Sequence, residues 1–162
     1  MPLSWDTRVV PSELLEFLRK LQEASPCRLS GGAALSGVHL SHRLSHDLDV
    51  FCTSHEDVRS TLRSAVYVAG KQGGELRIVR DGGTFVRGQL RIADHNLELD
   101  IVHDPSTPLA APDTVDGIIV DSIEDMLANK ITCLLSRAEP RDLVDLYFLD
   151  LSNFAPEDAL PA

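Results

Sequence analysis

The chain has 162 residues, of which 43% are hydrophobic and 5% aromatic, and its formal net charge at neutral pH is −10. This size and composition predict one compact domain whose core is built mainly from aliphatic side chains. The acidic balance argues against a broad nucleic-acid-binding surface, although residues 53–93 hold seven lysines and arginines against four acids and can present a local basic face.

Membrane and secreted proteins are two further classes that the sequence does not favour. No apolar stretch approaches the roughly 20 residues of a membrane span. Residues 1–10 lack the basic and apolar pattern of a signal peptide, and the three cysteines lie far apart, as is usual for reduced thiols. We therefore expect a cytoplasmic protein that does not contact a membrane.

The N-terminal half of the chain alternates helix-like and strand-like segments. Residues 11–24 carry leucines at helical spacing, and the polar and apolar alternation over residues 47–52 predicts a strand. Gly31 and Gly32 separate a short apolar segment from a second helix-like one. The predicted elements are helices over 11–24, 33–40 and 55–69, and strands over 27–30 and 47–52.

The C-terminal half begins with a predicted antiparallel meander. Its three strand candidates are separated by Asp-Gly-Gly and Asp-His-Asn, which are turn sequences. A loop over 104–112 follows, and Ser122 with Asp125 resembles a capping box at a helix start. The predicted elements are strands over 75–80, 84–93 and 96–103, a short edge strand over 117–120, and helices over 122–137 and 141–149.

These elements predict an α+β fold, a mixed α/β arrangement in which a mixed β-sheet is flanked by helices and followed by C-terminal helices. No internal repeat or change of composition divides the chain. We therefore expect a single domain over residues 1–162, with its core over about 11–150 and a short tail over 151–162.

Three aspartates are candidates for a metal site. Side chains two apart on a strand share a face, so Asp47 and Asp49 point the same way, and Asp100 lies on one face of strand 96–103. If these strands are neighbours, the three carboxylates meet. Oxygen donors of this kind suit Mg²⁺, and two such ions can stabilise the attacking and leaving oxygens of a phosphoryl transfer.

Gly31 and Gly32 are candidates for phosphate binding. Two glycines between a strand and a helix start let backbone N–H groups approach a phosphate, whose charge the helix dipole favours. A glycine pair alone is more often a plain turn. The Asp-x-Asp strand that follows makes phosphate binding the stronger interpretation.

Two motifs give the chain a family resemblance. GGAAL and HRLSHDLDVF, then KITCLLSRAEPRDLVDL, resemble motifs of the AbiEii/AbiGii-type toxin nucleotidyltransferases in the DNA polymerase β-like superfamily. The first motif matches at Gly31, Gly32, Leu35, Arg43, Ser45, Asp47 and Asp49. The later motifs match at Lys130, Arg137, Arg141, Asp142 and Asp145.

The resemblance implies a nucleotidyltransferase fold and the metal-dependent transfer of a nucleoside monophosphate from an NTP to an acceptor hydroxyl, with pyrophosphate release. Asp47, Asp49 and Asp100 would hold one or two Mg²⁺ ions, for which Mn²⁺ can substitute. The residues that it implies in nucleotide binding are Gly31, Gly32, Arg43, Ser45, Lys130 and Arg137. Those that it implies in activity are Asp47, Asp49, Asp100, Lys130 and Asp142.

The resemblance also implies a biological setting. The chain would be the toxin of a toxin–antitoxin or phage-defence pair, with a cognate antitoxin as partner. Its acceptor would be RNA such as tRNA, or a small molecule as in antibiotic-modifying nucleotidyltransferases. A non-catalytic nucleotide-binding or regulatory module on the same fold is the alternative.

The sequence departs from the family pattern at two places. Ala33 stands where a hydroxyl residue is common, and the C-terminal region is shorter than in many relatives.

The histidines leave two other hypotheses open. His39, His42 and His46 are candidate zinc ligands, although no acid lies on the same face. His46 and Asp47 are also adjacent, as in metal phosphohydrolases, but that pair belongs in a helix and Asp47 begins a strand-like run.

The basic residues also have a simpler interpretation. Without the family resemblance, Lys130 would be interpreted as a surface lysine with a buried stem. The solvated face of the meander would carry Arg77, Arg80, Arg87 and Arg91.

Overall fold

The computed structural model describes residues 2–159, apart from the side chain of Asp158. The last three residues of the predicted tail therefore lie outside the described part. The helices are α1 (Ser12–Ala24), α2 (Gly31–Ala34, continued by a π-helical segment, Leu35–Leu40), α3 (His55–Lys71), α4 (Ile123–Ser136), α5 (Pro140–Leu151) and a 3₁₀ turn (Pro156–Ala159). The strands are β1 (Arg28–Ser30), β2 (Asp47–Cys52), β3 (Glu75–Asp81), β4 (Phe85–Ile92), β5 (His95–His103), β6 (Asp113–Val115) and β7 (Ile118–Val120).

The strands form one seven-stranded mixed sheet in the order β3-β4-β5-β2-β1-β7-β6. Strand β2 runs parallel to β5, and β1 runs parallel to β7, whereas the other neighbours are antiparallel. The predicted α+β fold with a mixed sheet is confirmed, as is the meander of β3, β4 and β5.

Three details differ from the sequence-based prediction. Strand β7 is not an edge strand, because β6 pairs with its outer side, and the short Asp-Thr-Val segment shows no alternation that would have indicated a strand. Helix α2 includes Gly31 and Gly32 in its first turn instead of beginning at Ala33. The β4–β5 turn lies at Ala93 and Asp94, one residue earlier than the predicted strand bounds place it, and Ala93 has a positive φ of 50°, which suits a tight hairpin connection.

The central strands have one apolar and one polar face. Leu48 and Val50 are buried on the apolar face, where α3 packs and its Thr61 hydroxyl lies 3.4 Å from the sulfur of Cys52. The alternation predicted for β2 is therefore confirmed. The polar face carries the aspartates of β2 and β5, which places them away from the α3 side of the sheet.

Helices α4 and α5 are positioned by their first turns. The Ser122 hydroxyl accepts a hydrogen bond from the backbone N–H of Asp125 at 3.1 Å, so the predicted cap is present. Pro140 occupies the first turn of α5, where its missing N–H does not matter. No helix within residues 2–159 is long and apolar enough to cross a membrane.

Candidate active site

Strand pairing brings the three candidate carboxylates together. Asp49 is directly opposite Asp100 in the parallel β2–β5 ladder, and Asp47 is two residues earlier on the same face. They line a small cavity of about 40 Å³. Every other predicted site residue also lines this cavity, except Gly31 and Asp142. The residues that line it are Gly32, Arg43, Ser45, Asp47, Asp49, Arg87, Asp100, Lys130, Arg137 and Arg141.

The surroundings of Asp49 perturb its pKa. Burial, and then the nearby charges of Asp100 and Asp47, raise its pKa to about 6. The charges of Lys130 and Arg141 act in the opposite direction but do not cancel this effect. A bound cation would favour the ionised form and relieve the repulsion among the three carboxylates.

The donor set fits a hard divalent cation by its chemistry. Three carboxylates on adjacent strands supply the oxygen ligands that Mg²⁺ prefers. Within residues 2–159, no three His, Cys, Asp or Glu side chains are already arranged as a metal cluster. Two of the carboxylates instead turn to guanidinium groups: Asp100 to Arg87 at 2.7 and 2.9 Å, and Asp47 to Arg141 at 2.5 Å. A metal ion would take the place of these positive partners.

Both glycines lie in close approach to a charged side chain, and Gly31 also has a backbone conformation that favours glycine. Gly31 has a φ of +68°, and a Cβ atom there would collide with the Asp49 carboxylate. A Cβ atom at Gly32 would collide with the guanidinium of Arg43. The glycine pair therefore brings the start of α2 against one candidate metal ligand and one candidate phosphate ligand.

Replacing Gly31 with alanine is expected to lower the free energy of unfolding by about 2 kcal/mol or more. The added methyl group strains a left-handed backbone and pushes into Asp49. Gly70→Ala in α3 is the matched control, because a Cβ atom there meets nothing within 4 Å. That control should be stabilised by about 0.5–1 kcal/mol. Urea unfolding of both variants measures the difference, and equal stability of Gly31→Ala and wild type would contradict the steric argument.

Lys130 is buried, not a surface lysine. Its ammonium lies 2.9 Å from Asp142 and 2.8 Å from Asp145, both on α5 and both fully buried. The Nε of Arg137 also donates to Asp142, at 3.3 Å. Burial by itself would raise the pKa of Asp142, but hydrogen bonds and charges from Lys130 and Arg137 lower it below its ordinary value. Asp142 therefore holds Lys130 at the edge of the pocket without lining the pocket itself.

Asp145 is the centre of a second buried charge cluster. Arg43 donates to it from two nitrogens at 2.6 and 2.8 Å, and a ring nitrogen of His42 lies 2.7 Å away. Burial would raise the pKa of Asp145, yet Arg43, His42 and Lys130 hold it well below its usual range. Asp145 thus fixes Arg43 and Lys130, both of which line the pocket.

His42 has a structural role that the sequence analysis did not identify. Its other ring nitrogen lies 3.1 Å from the Ser36 hydroxyl, so both nitrogens already have partners and neither is left for a zinc ion. His42 and Asp145 are 103 residues apart, and no local pattern relates them.

Arg87 lines the pocket instead of being solvated, in contrast to the sequence-based prediction. It is half-buried and forms the two-nitrogen pair with Asp100, which raises its pKa above the ordinary value. The observed turn at Ala93 and Asp94 sets the register that places Arg87 opposite Asp100, whereas the predicted strand bounds would have placed Gln89 there. Its three companions, Arg77, Arg80 and Arg91, are exposed as predicted.

Comparison with known proteins points to one enzyme class. The family model described as "Nucleotidyl transferase AbiEii toxin, Type IV TA system" matches residues 13–161. JHP933 from Helicobacter pylori is 26% identical with a TM-score of 0.62, over 90% of this chain and 67% of that one. No curated protein matches the sequence.

Two more distant structures share the fold alone. The nucleotidyltransferase toxin MenT4 from Mycobacterium tuberculosis is 20% identical with a TM-score of 0.55, over 83% of this chain and 55% of that one. The polyadenylate synthase of Megavirus is 15% identical with a TM-score of 0.59, over 91% of this chain and 32% of that one.

Proposed function

Because the chain belongs to the AbiEii nucleotidyltransferase toxin family, we propose that it moves a nucleoside monophosphate from an NTP to an acceptor hydroxyl in a Mg²⁺-dependent reaction that releases pyrophosphate. The observation that carries this proposal is the pairing of Asp49 with Asp100, beside Asp47, on the floor of a pocket rimmed by basic side chains. No nucleophilic side chain is needed, because phosphoryl transfer depends mainly on positioning and charge neutralisation.

In this proposal the three carboxylates hold the metal. Mg²⁺, or Mn²⁺ in its place, would bind Asp47, Asp49 and Asp100 as one or two ions, which neutralise charge on the reacting phosphate and the leaving group. Asp100 would lie near the acceptor hydroxyl and could help to take up its proton. Arg87 and Arg141, which pair with two of these carboxylates, would then be able to bind phosphate oxygens.

The remaining pocket residues would bind the triphosphate. Backbone N–H groups at Gly31 and Gly32 can approach phosphate oxygens because these residues have no side chain of their own, and the Ser45 hydroxyl lines the same pocket. The basic groups that face these positions are Arg43, Lys130 and Arg137. Asp142 and Asp145 act through them, because they hold Lys130 and Arg43 in place.

The acceptor and the setting form the second part of the proposal. RNA, with tRNA as one candidate, is the proposed acceptor, in keeping with the likeness of the fold to a polyadenylate synthase. A cognate antitoxin would be the partner in a cytoplasmic toxin–antitoxin or phage-defence pair, in keeping with the toxin–antitoxin description of the family.

Incubation with each α-labelled NTP and total RNA tests this function. We expect label to enter RNA with Mg²⁺, to disappear when a chelator removes the metal, and to return with Mn²⁺. Release of pyrophosphate without labelled RNA would instead indicate a small-molecule acceptor. NTP binding without pyrophosphate release would indicate a non-catalytic module, and a protein that neither binds nor consumes any NTP would contradict the proposal.

A further inference from the structure

The polar face of the sheet continues beyond the pocket onto β4 and β3, and there it is basic. Arg87, which contacts Asp100, is opposite Arg80 on β3. Arg77, also on β3, is opposite Gln89, which lies on the same face of β4 as Arg87. Arg77 and Arg80 are both exposed. Within residues 2–159, neither of these two guanidinium groups has a carboxylate partner. The edge of the sheet therefore presents two arginines whose charge is not used internally.

An aromatic ring, that of Phe85, lies beside Arg80 and Arg87 on this face of the sheet. The guanidinium of Arg80 is 5.9 Å from the ring centroid of Phe85, and that of Arg87 is 5.5 Å from it. Phe85 is half-buried on the same face of β4. A free arginine, an aromatic ring and the arginine that contacts Asp100 thus form a continuous path into the pocket.

This combination of side chains suits a single-stranded polynucleotide. Free guanidinium groups bind phosphate oxygens with two parallel hydrogen bonds, and an aromatic ring with neighbouring arginines offers an unpaired base a stacking surface. A ligand that extends from β5 to β3 crosses two strand spacings, roughly 10 Å. An acceptor that reaches both ends must therefore extend along this path, which a single-stranded polynucleotide does.

We propose that Arg77, Arg80 and Phe85, here named the β3–β4 surface, bind the backbone and one unpaired base of a single-stranded RNA acceptor whose terminal hydroxyl lies at Asp100. This inference rests on the proposed function and adds to it the path of the acceptor. The formal net charge of −10 disfavours a broad RNA-binding surface, which fits a binding surface limited to these residues and the basic pocket.

A double charge reversal, Arg77→Glu with Arg80→Glu, tests the β3–β4 surface. The matched control is Arg63→Glu with Lys71→Glu, which changes the charge equally at exposed positions on α3, the helix behind the sheet. The probe is a fluorescent oligoribonucleotide of about 12 nucleotides with a free 3′ hydroxyl, used single-stranded and as a duplex. Its binding is followed by anisotropy, and transfer of labelled nucleotide to it is measured separately.

The surface variant should bind the single strand about tenfold more weakly, while the control and the KM for NTP stay unchanged. The slope of log affinity against log salt concentration should fall by about 0.7 for each arginine that contacts a phosphate. Phe85→Leu should weaken binding by about fivefold or more without changing the salt slope, because it removes only stacking. Wild type should prefer the single strand over the duplex.

Binding and transfer distinguish the two proposals. Suppose that wild type transfers nucleotide to the RNA and that the surface variant has the same affinity and KM for the RNA. RNA binding by the β3–β4 surface is then contradicted, and the proposed enzymatic function is retained. If wild type binds the single strand through these residues but transfers no nucleotide to it, RNA binding by the β3–β4 surface is retained and the proposed function is contradicted. An equal loss in the α3 control would show a general charge effect and would also overturn the surface.

Discussion

Replacing Asp49 with asparagine is expected to reduce kcat for nucleotidyl transfer by about 10³-fold or more while making the protein harder to unfold. The substitution keeps the shape of the side chain but removes one of three carboxylates at the proposed metal site, and a metal ion supplies several kcal/mol of charge stabilisation in such reactions. Rapid-quench assays of transfer at saturating NTP measure the first effect.

The stability gain follows from the pKa of Asp49. Burial and the charges of Asp100 and Asp47 raise this pKa to about 6, from the ordinary aspartate value of 3.8. The folded state therefore binds this proton more tightly than the unfolded state, so stability falls as pH rises from about 4 to about 6 and stays lower at neutral pH. Asparagine removes that loss, and urea unfolding at pH 7 in a chelator should show a gain of about 1–3 kcal/mol.

Glu98→Gln is the control for this prediction. Glu98 is opposite Asp47 on the same sheet face, but its side chain is 41% exposed and lies outside the pocket lining. It should retain kcat within about threefold, since it removes an equal charge at the rim. Addition of Mg²⁺ should raise the melting temperature of wild type and of this control but not of Asp49→Asn. Wild-type kcat in Asp49→Asn would contradict the assignment of Asp49 to the metal.

Replacing Asp145 with asparagine is expected to lower the free energy of unfolding by about 3 kcal/mol and to raise the KM for NTP. Asp145 is the shared partner of Arg43, His42 and Lys130 in a fully buried position, so its loss leaves buried charge without compensation. The KM rises because Arg43 and Lys130, which line the pocket, lose the group that holds them. Asp150→Asn, an exposed change on the same helix, should alter neither quantity.

The effect of Asp145→Asn should also depend on pH. Because the pKa of Asp145 in the folded protein is depressed, its contribution to stability is complete above the unfolded value of 3.8 and is lost as pH falls through and below that value. The difference in unfolding free energy between wild type and Asp145→Asn should therefore be full at pH 7 and should shrink in strong acid. A constant difference, or none at pH 7, would show that the charge of Asp145 contributes no stability.

Local patterns in the sequence predicted much of the architecture. The apolar periods located α1 and the strands of the meander, and the Ser122 cap marked the start of α4, because these elements are specified by neighbouring residues. Strand β6 was missed because Asp-Thr-Val has a single strongly apolar residue and directly follows the proline-containing loop over 104–112. The predicted edge position of β7 was wrong because β6, the strand that pairs with its outer side, was missed.

For the candidate site too, local sequence determined some features and tertiary structure determined the others. The sequence by itself determined that Asp47 and Asp49 share a face, since side chains on a strand alternate, and that Asp100 lies on one face of its own strand. Only the tertiary structure decided that β2 and β5 are neighbours, because strand pairing over about fifty residues depends on the packing of the whole sheet. The contacts of Asp145 with His42 and Arg43 are of the same kind. They span more than a hundred residues, and their strength comes from burial that no local pattern reveals.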